Sequence, residues 1–262
     1  MLGNGFYNPL PIRIFQPLRE YLTIGRPCLK AQLRVQYTDG SIETVCTDGS
    51  WKTATGPIMR NNVYLGEHYD ARHEIPGWDT GDFDDTNWKQ AILVPEIPTG
   101  QLSAQMQPPV RVLEVIKPVR MTECRPGEFI FDMGQNFAGV ARIKVKGPKG
   151  IAVKIRYGED VYSNVMTSVA GQQKKVWNAN WNMPGQPQTA WQEDVYILKG
   201  EDEEIWSPRF TFHGFRYVEI TGWPGRPSLA DIEGVRLSAD LQKTGRFECS
   251  NPMLNRLDKV LD

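Results

Sequence analysis

The chain reads as an all-β protein made of two β-sandwich domains. Apolar and polar residues alternate along short runs, 24 Gly and 19 Pro break those runs over the whole length, and helical periodicity surfaces only near the end. At 262 residues there is room for one large domain or two of ordinary size, and 40% hydrophobic with 23% charged residues is a globular composition. Thirty Lys and Arg against 31 Asp and Glu leave a net charge of -1, which speaks against nucleic acid or an acidic membrane surface as partner. No apolar run approaches the roughly 20 residues of a membrane span.

Along the chain, Ala31 to Tyr37 and Ile42 to Cys46 alternate around Thr38-Asp39-Gly40-Ser41, the pattern of a hairpin closed by an Asp-Gly turn. Asp48-Gly49-Ser50-Trp51 repeats the turn chemistry and is expected to send an aromatic ring into a core. Residues 56 to 87 are rich in Gly, Pro, Asp, Asn and aromatics without lasting periodicity, as in a functional or self-packed loop region. Strand patterns resume at Val110 to Pro118 and Glu128 to Met133. Val140 to Val145 and Ile151 to Tyr157 flank Gly147-Pro148-Lys149-Gly150 and predict a second hairpin. Trp191 to Lys199, Arg209 to Thr211, Arg216 to Thr221 and Ile232 to Ser238 complete the series.

This divides the chain into a first β domain over 1–100, a proline-flanked linker over 101–109, a second sandwich over 110–243, and a helical start over 244–262. In the last segment Ser250 is the expected N-cap, Pro252 sits just inside, and Leu254, Leu257 and Leu261 recur at helical spacing. A helix that runs off the end and an opening that reads as the tail of a strand predict a fragment. MLGNGFYNPLP has neither the basic region nor the apolar core of a signal peptide.

Several long motifs then carry a resemblance. LGNGFYN (Leu2 to Asn8), DGSWKTATGPI (Asp48 to Ile58), YLGEHYDARHEIPGWD (Tyr64 to Asp79) and FDDTNWKQA (Phe83 to Ala91) are similar, in order, to segments of the bacterial α-L-rhamnosidases of glycoside hydrolase family 78. So are PPVRVLEVIKP (Pro108 to Pro118), FDMGQNFAGVARIKVKGPKG (Phe131 to Gly150), RFTFHGFRYVEITGWPG (Arg209 to Gly225) and GRFECSNPMLNRL (Gly245 to Leu257). The resemblance implies a truncated jelly roll of galactose-binding type, then a concanavalin-like sandwich, then the first helix of an (α/α)6 barrel. It also implies a parent hydrolase that cleaves terminal α-L-rhamnosyl linkages with inversion. Inversion needs an acid and a base about 6.5–9.5 Å apart, and in the family both come from the barrel. No catalytic residue is therefore assigned, and the chain alone is expected to be inactive. Its implied partners are rhamnose-containing glycans and the barrel in cis.

Binding residues are sought first in Tyr64 to Arg72. Glu67 and Asp70 offer hard oxygens suited to sugar hydroxyls or to calcium, a cation some family members use in the first module; Arg72 could bridge hydroxyls and Tyr69 could stack on a ring. The competing reading has Asp70 and Arg72 pairing with each other or with backbone while the tyrosines pack. Trp177 and Trp181, in a polar loop, are candidates for a substrate or interdomain contact. Asp79, Asp82, Asp84 and Asp85 lack the spacing of a calcium loop and read as a solvated turn. His213 reads as a hydrogen-bonded core histidine, and Glu201 to Glu204 as a solvated charge run. Cys28, Cys46, Cys124 and Cys249 are scattered and, with only three histidines, fit no zinc site; free core thiols are expected. A rhamnosidase front portion, a stand-alone L-rhamnose-binding module and a sandwich glycanase are the competing functions; paired acids at period two, which the last would need, are not found.

Overall fold

The computed structural model describes residues 1–4, 25–63, 65–94, 103–162, 165–167, 192–242 and 244–261. The chain is all-β but for one helix and two single 3-10 turns among these residues. Strands β1 (Gln32–Gln36) and β2 (Ile42–Cys46) pair antiparallel as expected, Leu33 opposite Val45. Gly40 takes the positive φ (85°) that this turn requires, and Asp39 Oδ1 accepts the Ser41 N–H at 2.9 Å. Short strands β3 (Lys52–Thr53) and β6 (Lys89–Gln90) form a second small sheet.

The main body is a ten-stranded sheet. Its strands are β4 (Ile58–Asn62), β5 (Gly66–Asp70), β7 (Val110–Ile116), β8 (Arg120–Arg125), β9 (Glu128–Val145), β10 (Ala152–Gly158), β13 (Glu193–Ile197), β14 (Glu204–Trp206), β15 (His213–Thr221) and β16 (Ile232–Ala239), in the path β4-β5-β13-β10-β15-β9-β16-β7. A small pair, β11 (Asp160–Tyr162) with β12 (Val165–Thr167), stands apart. The eighteen-residue β9 organises the sheet: β15 and then β14 pair along one edge, β8 and then β16 along the other.

Period-two alternation builds the core. Phe129, Phe131, Met133, Ala141, Ile143 and Val145 all point inward from β9, and Val153, Ile155 and Tyr157 do so from β10. On β15 the inward set changes phase, from His213 and Phe215 to Val218 and Ile220, because the register with β9 shifts between Phe215 and Tyr217. Gly134 lies at the matching irregularity of β9 with φ 80°.

The structure differs from these expectations at six points. Val140–Val145 and Ile151–Tyr157 do not pair with each other; β15 lies between them and pairs with both. The six residues 146–151 easily cross that one strand, about 10 Å at the usual strand spacing. Residues 58–70, expected in the first domain, belong to the main sheet, since β5 pairs in parallel with β13. Arg209–Thr211 is not a strand, because its amides serve a side chain instead. The helix, α1 (Pro252–Leu261), is capped not by Ser250 but by Asn251, whose Oδ1 accepts the Met253 N–H at 2.9 Å. The four cysteines are free, but none is fully buried. Trp51 likewise stays at the surface, its Nε1–H donating to the Cys46 carbonyl at 3.2 Å.

Candidate functional site

The segment singled out in the sequence forms the β4–β5 hairpin edge and its seam with β13. Gly66 opens β5 at φ 77°, and a Cβ there would fall 1.9 Å from the Glu193 carbonyl oxygen. That close approach lets the Glu67 N–H reach Asp194 Oδ1 at 2.7 Å. From Glu67 onward, every second side chain (Glu67, Tyr69, Ala71) turns into the body.

Glu67 is buried, and its Oε2 accepts the backbone N–H groups of Arg209 (3.2 Å) and Phe210 (3.0 Å). Burial pushes its carboxyl up to about 7, against the lowering effect of those two amides. Tyr69 packs with Tyr196 and Trp206, each ring centroid 5.8 Å away, and gives its hydroxyl hydrogen to Glu74 Oε1 at 2.9 Å. Burial raises its phenol far above the ordinary range. Asp70 receives Arg72 Nε at 2.8 Å and Nη2 at 2.7 Å, with His73 Nδ1 3.3 Å away. The Arg72 fork holds the Asp70 carboxyl below its usual value. So of the predicted residues, Glu67 and Tyr69 face the interior, while Asp70 and Arg72 satisfy each other. Trp177 and Trp181 lie outside the described residues.

Such an arrangement does not fit calcium. Asp70 already holds a cation, Glu67 faces amides, and among the described residues no three His, Cys, Asp or Glu side chains stand together. In the acidic turn, Asp84 accepts the Thr86 N–H (3.0 Å) and Asp85 pairs with Lys52 (2.7 Å).

A centre that the sequence did not reveal lies behind Glu67. Asp194, fully buried, accepts the Tyr157 hydroxyl at 2.7 Å and lies 3.1 Å from His213 Nε2, while His213 Nδ1 is 2.8 Å from Gln192 Oε1. The imidazole stacks on Tyr157 with centroids 4.0 Å apart. Gln192 adopts the one positive φ (49°) of a non-glycine among the described residues. The signal for Asp194 was its phase: it shares the inward register of Tyr196 and Leu198, and an acid there needs buried donors. Glu204 is a similar correction. Rather than ending a solvated charge run, it is buried and accepts the Lys199 and Gly200 amides, both at 3.0 Å, and the Tyr196 hydroxyl at 2.7 Å.

One shallow, open groove of about 200 Å³ is lined by Lys144, Val145, Lys146, Glu203, Trp223 and Asp231. Its lysines are spent on Glu203 (3.1 Å) and Asp202 (2.7 Å).

Fold and side chains together define a class: a β-sandwich body in which Glu67, Asp194 and Glu204 are buried and engaged by the chain's own amides and hydroxyls. Within that class the comparisons are specific. The profile of the α-L-rhamnosidase N-terminal domain matches residues 1–114, and that of the bacterial α-L-rhamnosidase concanavalin-like domain matches 122–238. An α-L-rhamnosidase of Streptomyces avermitilis is 39% identical over 232 residues, 88% of this chain and 21% of its own length. One of Formosa agariphila is 33% identical over 262 residues, 99% of this chain and 26% of its own. Among solved structures, α-L-rhamnosidase from Dictyoglumus thermophilum superposes with a TM-score of 0.79 at 42% identity, over 89% of this chain and 25% of that one. The Streptomyces avermitilis enzyme complexed with L-rhamnose gives 0.79 at 38%, over 90% and 21%. The chain belongs to the α-L-rhamnosidase family and spans about a quarter of the length of these relatives.

Proposed function

We propose that this chain acts as the non-catalytic front portion of an α-L-rhamnosidase, a scaffold for a catalytic domain joined to it in cis. In this reading the complete enzyme removes terminal α-L-rhamnosyl groups from rhamnose-containing glycans with inversion, and the acid and base belong to the attached helical domain. The observation that carries it is coverage: the relatives are α-L-rhamnosidases, and the chain matches only 21–26% of their length. The chemistry of the described acids agrees with a supporting role. Glu67, Asp70, Asp132, Asp194 and Glu204 are all buried and engaged by amides, hydroxyls or arginines of the chain itself.

The test is to assay the purified chain on an aryl α-L-rhamnoside and to titrate it with L-rhamnose at millimolar concentration, with and without calcium. Neither turnover nor heat is expected. Turnover abolished by neutralising one of this chain's carboxylates would overturn the proposal. Binding heat without turnover would instead assign the chain to sugar recognition.

A further inference from the structure

Glu67 is used by none of the chemistry above, and its placement is unusual. It sits on β5 at the seam where three segments meet: its partner strand β4, the parallel neighbour β13, and residues 207–212. Only one of its oxygens is served. Oε2 accepts the Arg209 and Phe210 amides, whereas Oε1 is buried without a hydrogen-bond partner. The charged and titratable groups facing it are the Asp194 carboxylate of β13, whose Oδ1 holds the Glu67 amide, and Arg209, whose side chain lies toward solvent. Tyr69 on its own strand and Tyr157 on β10, the latter bonded to Asp194 beside His213, are the remaining titratable neighbours. Across β4, the directly opposed Asn61 turns its Oδ1 to the Asn4 amide at 3.2 Å and leaves Nδ2 buried and unpartnered. A carboxylate here would keep half its acceptor sites empty, beside a second buried acid.

We propose that Glu67 is a proton-operated latch: the seam between the β4–β5 hairpin and residues 207–212 accommodates it as a neutral carboxyl, and its ionisation, which leaves a desolvated charge beside Asp194 that the two amides only partly offset, loosens that junction. Burial, which raises this carboxyl to about 7, supports the geometric argument. The sign follows from linkage. An unfolded glutamate releases its proton near 4.3, so between roughly pH 4.5 and 7 the folded chain holds a proton the unfolded chain has lost. Stability therefore falls as pH rises through that window and levels off above it.

The experiment is a thermal-unfolding series from pH 5 to 8 on the whole chain and on Glu67→Gln, which keeps an acceptor for the two amides but does not ionise. The wild type is expected to lose about 5–10 °C across the window, while the variant stays level. Carbon-13 titration of the Glu67 carboxyl in the wild type should give a midpoint near 7, and it decides the matter even if the variant fails to fold. Parallel profiles for the two proteins, or a midpoint between 4 and 5, would overturn the latch.

Discussion

Strand pairs β1–β2 and β9–β15 are written in the same sequence language, antiparallel runs in which apolar residues alternate with polar ones. Their fates differ. Phe131 on β9 is 0% exposed and sits among Phe129, Met133, Val218 and Ile220, whereas Leu33 on β1 is 61% exposed although Val45 stands directly opposite. The pairing of β1 with β2 is held by local bonds, such as Tyr37 Oη to Glu43 Oε2 at 2.5 Å and the Asp39–Ser41 turn. The sandwich is held by burial. Alternation specifies a strand and its two faces; a core also needs a second layer over one of them.

Mutations on the two sides of that divide should differ sharply. Phe131→Ala is expected to lose about 3–5 kcal/mol, measured by denaturant unfolding, because nothing can collapse into the space it leaves. Gly66→Ala tests whether the 58–70 hairpin shares the fate of the sandwich. Its positive φ and its approach to the Glu193 carbonyl should make even one methyl cost about 2–3 kcal/mol. Asp132→Asn should cost about 1 kcal/mol, since the Arg216 fork (2.8 and 3.0 Å) is partly open to solvent and screened. That fork lowers the Asp132 carboxyl, so its stabilisation is complete above the unfolded value near 3.9 and disappears as pH falls through the lowered folded value. The gap between wild type and Asp132→Asn should therefore close in acid. Leu33→Ala should change stability by no more than about 0.5 kcal/mol; a loss of several would mean that its face is covered in solution.

What was legible in the sequence was local. The Asp39-Gly40 turn, the strand at Ile232–Ser238 and the helix entered at Pro252 rest on neighbouring residues that interact directly, and all three appear. The illegible parts are long-range. Residues 140–145 and 151–157 look like a hairpin because only a strand sixty residues further on, β15, separates them. The surroundings of the candidate residues were hidden for a related reason. Glu67 and Asp70 carry the residue types of a binding loop, but their partners at Arg209, Phe210 and Arg72 show an interior anchor and a self-contained ion pair. The inward phase that Glu67 shares with Tyr69 and Ala71, and Asp194 with Tyr196 and Leu198, was the available clue.

Native-state amide exchange resolved by residue tests the central claim most directly, that 58–70 is structurally part of the sandwich while β1–β2 is not. The account predicts that the amides of Glu67 and Tyr69 on β5 exchange as slowly as those of β10 and β13, through opening of the whole body. It predicts that β1 and β2 exchange orders of magnitude faster by local opening. Protection of β5 at the level of β1–β2, or equal protection everywhere, would contradict it.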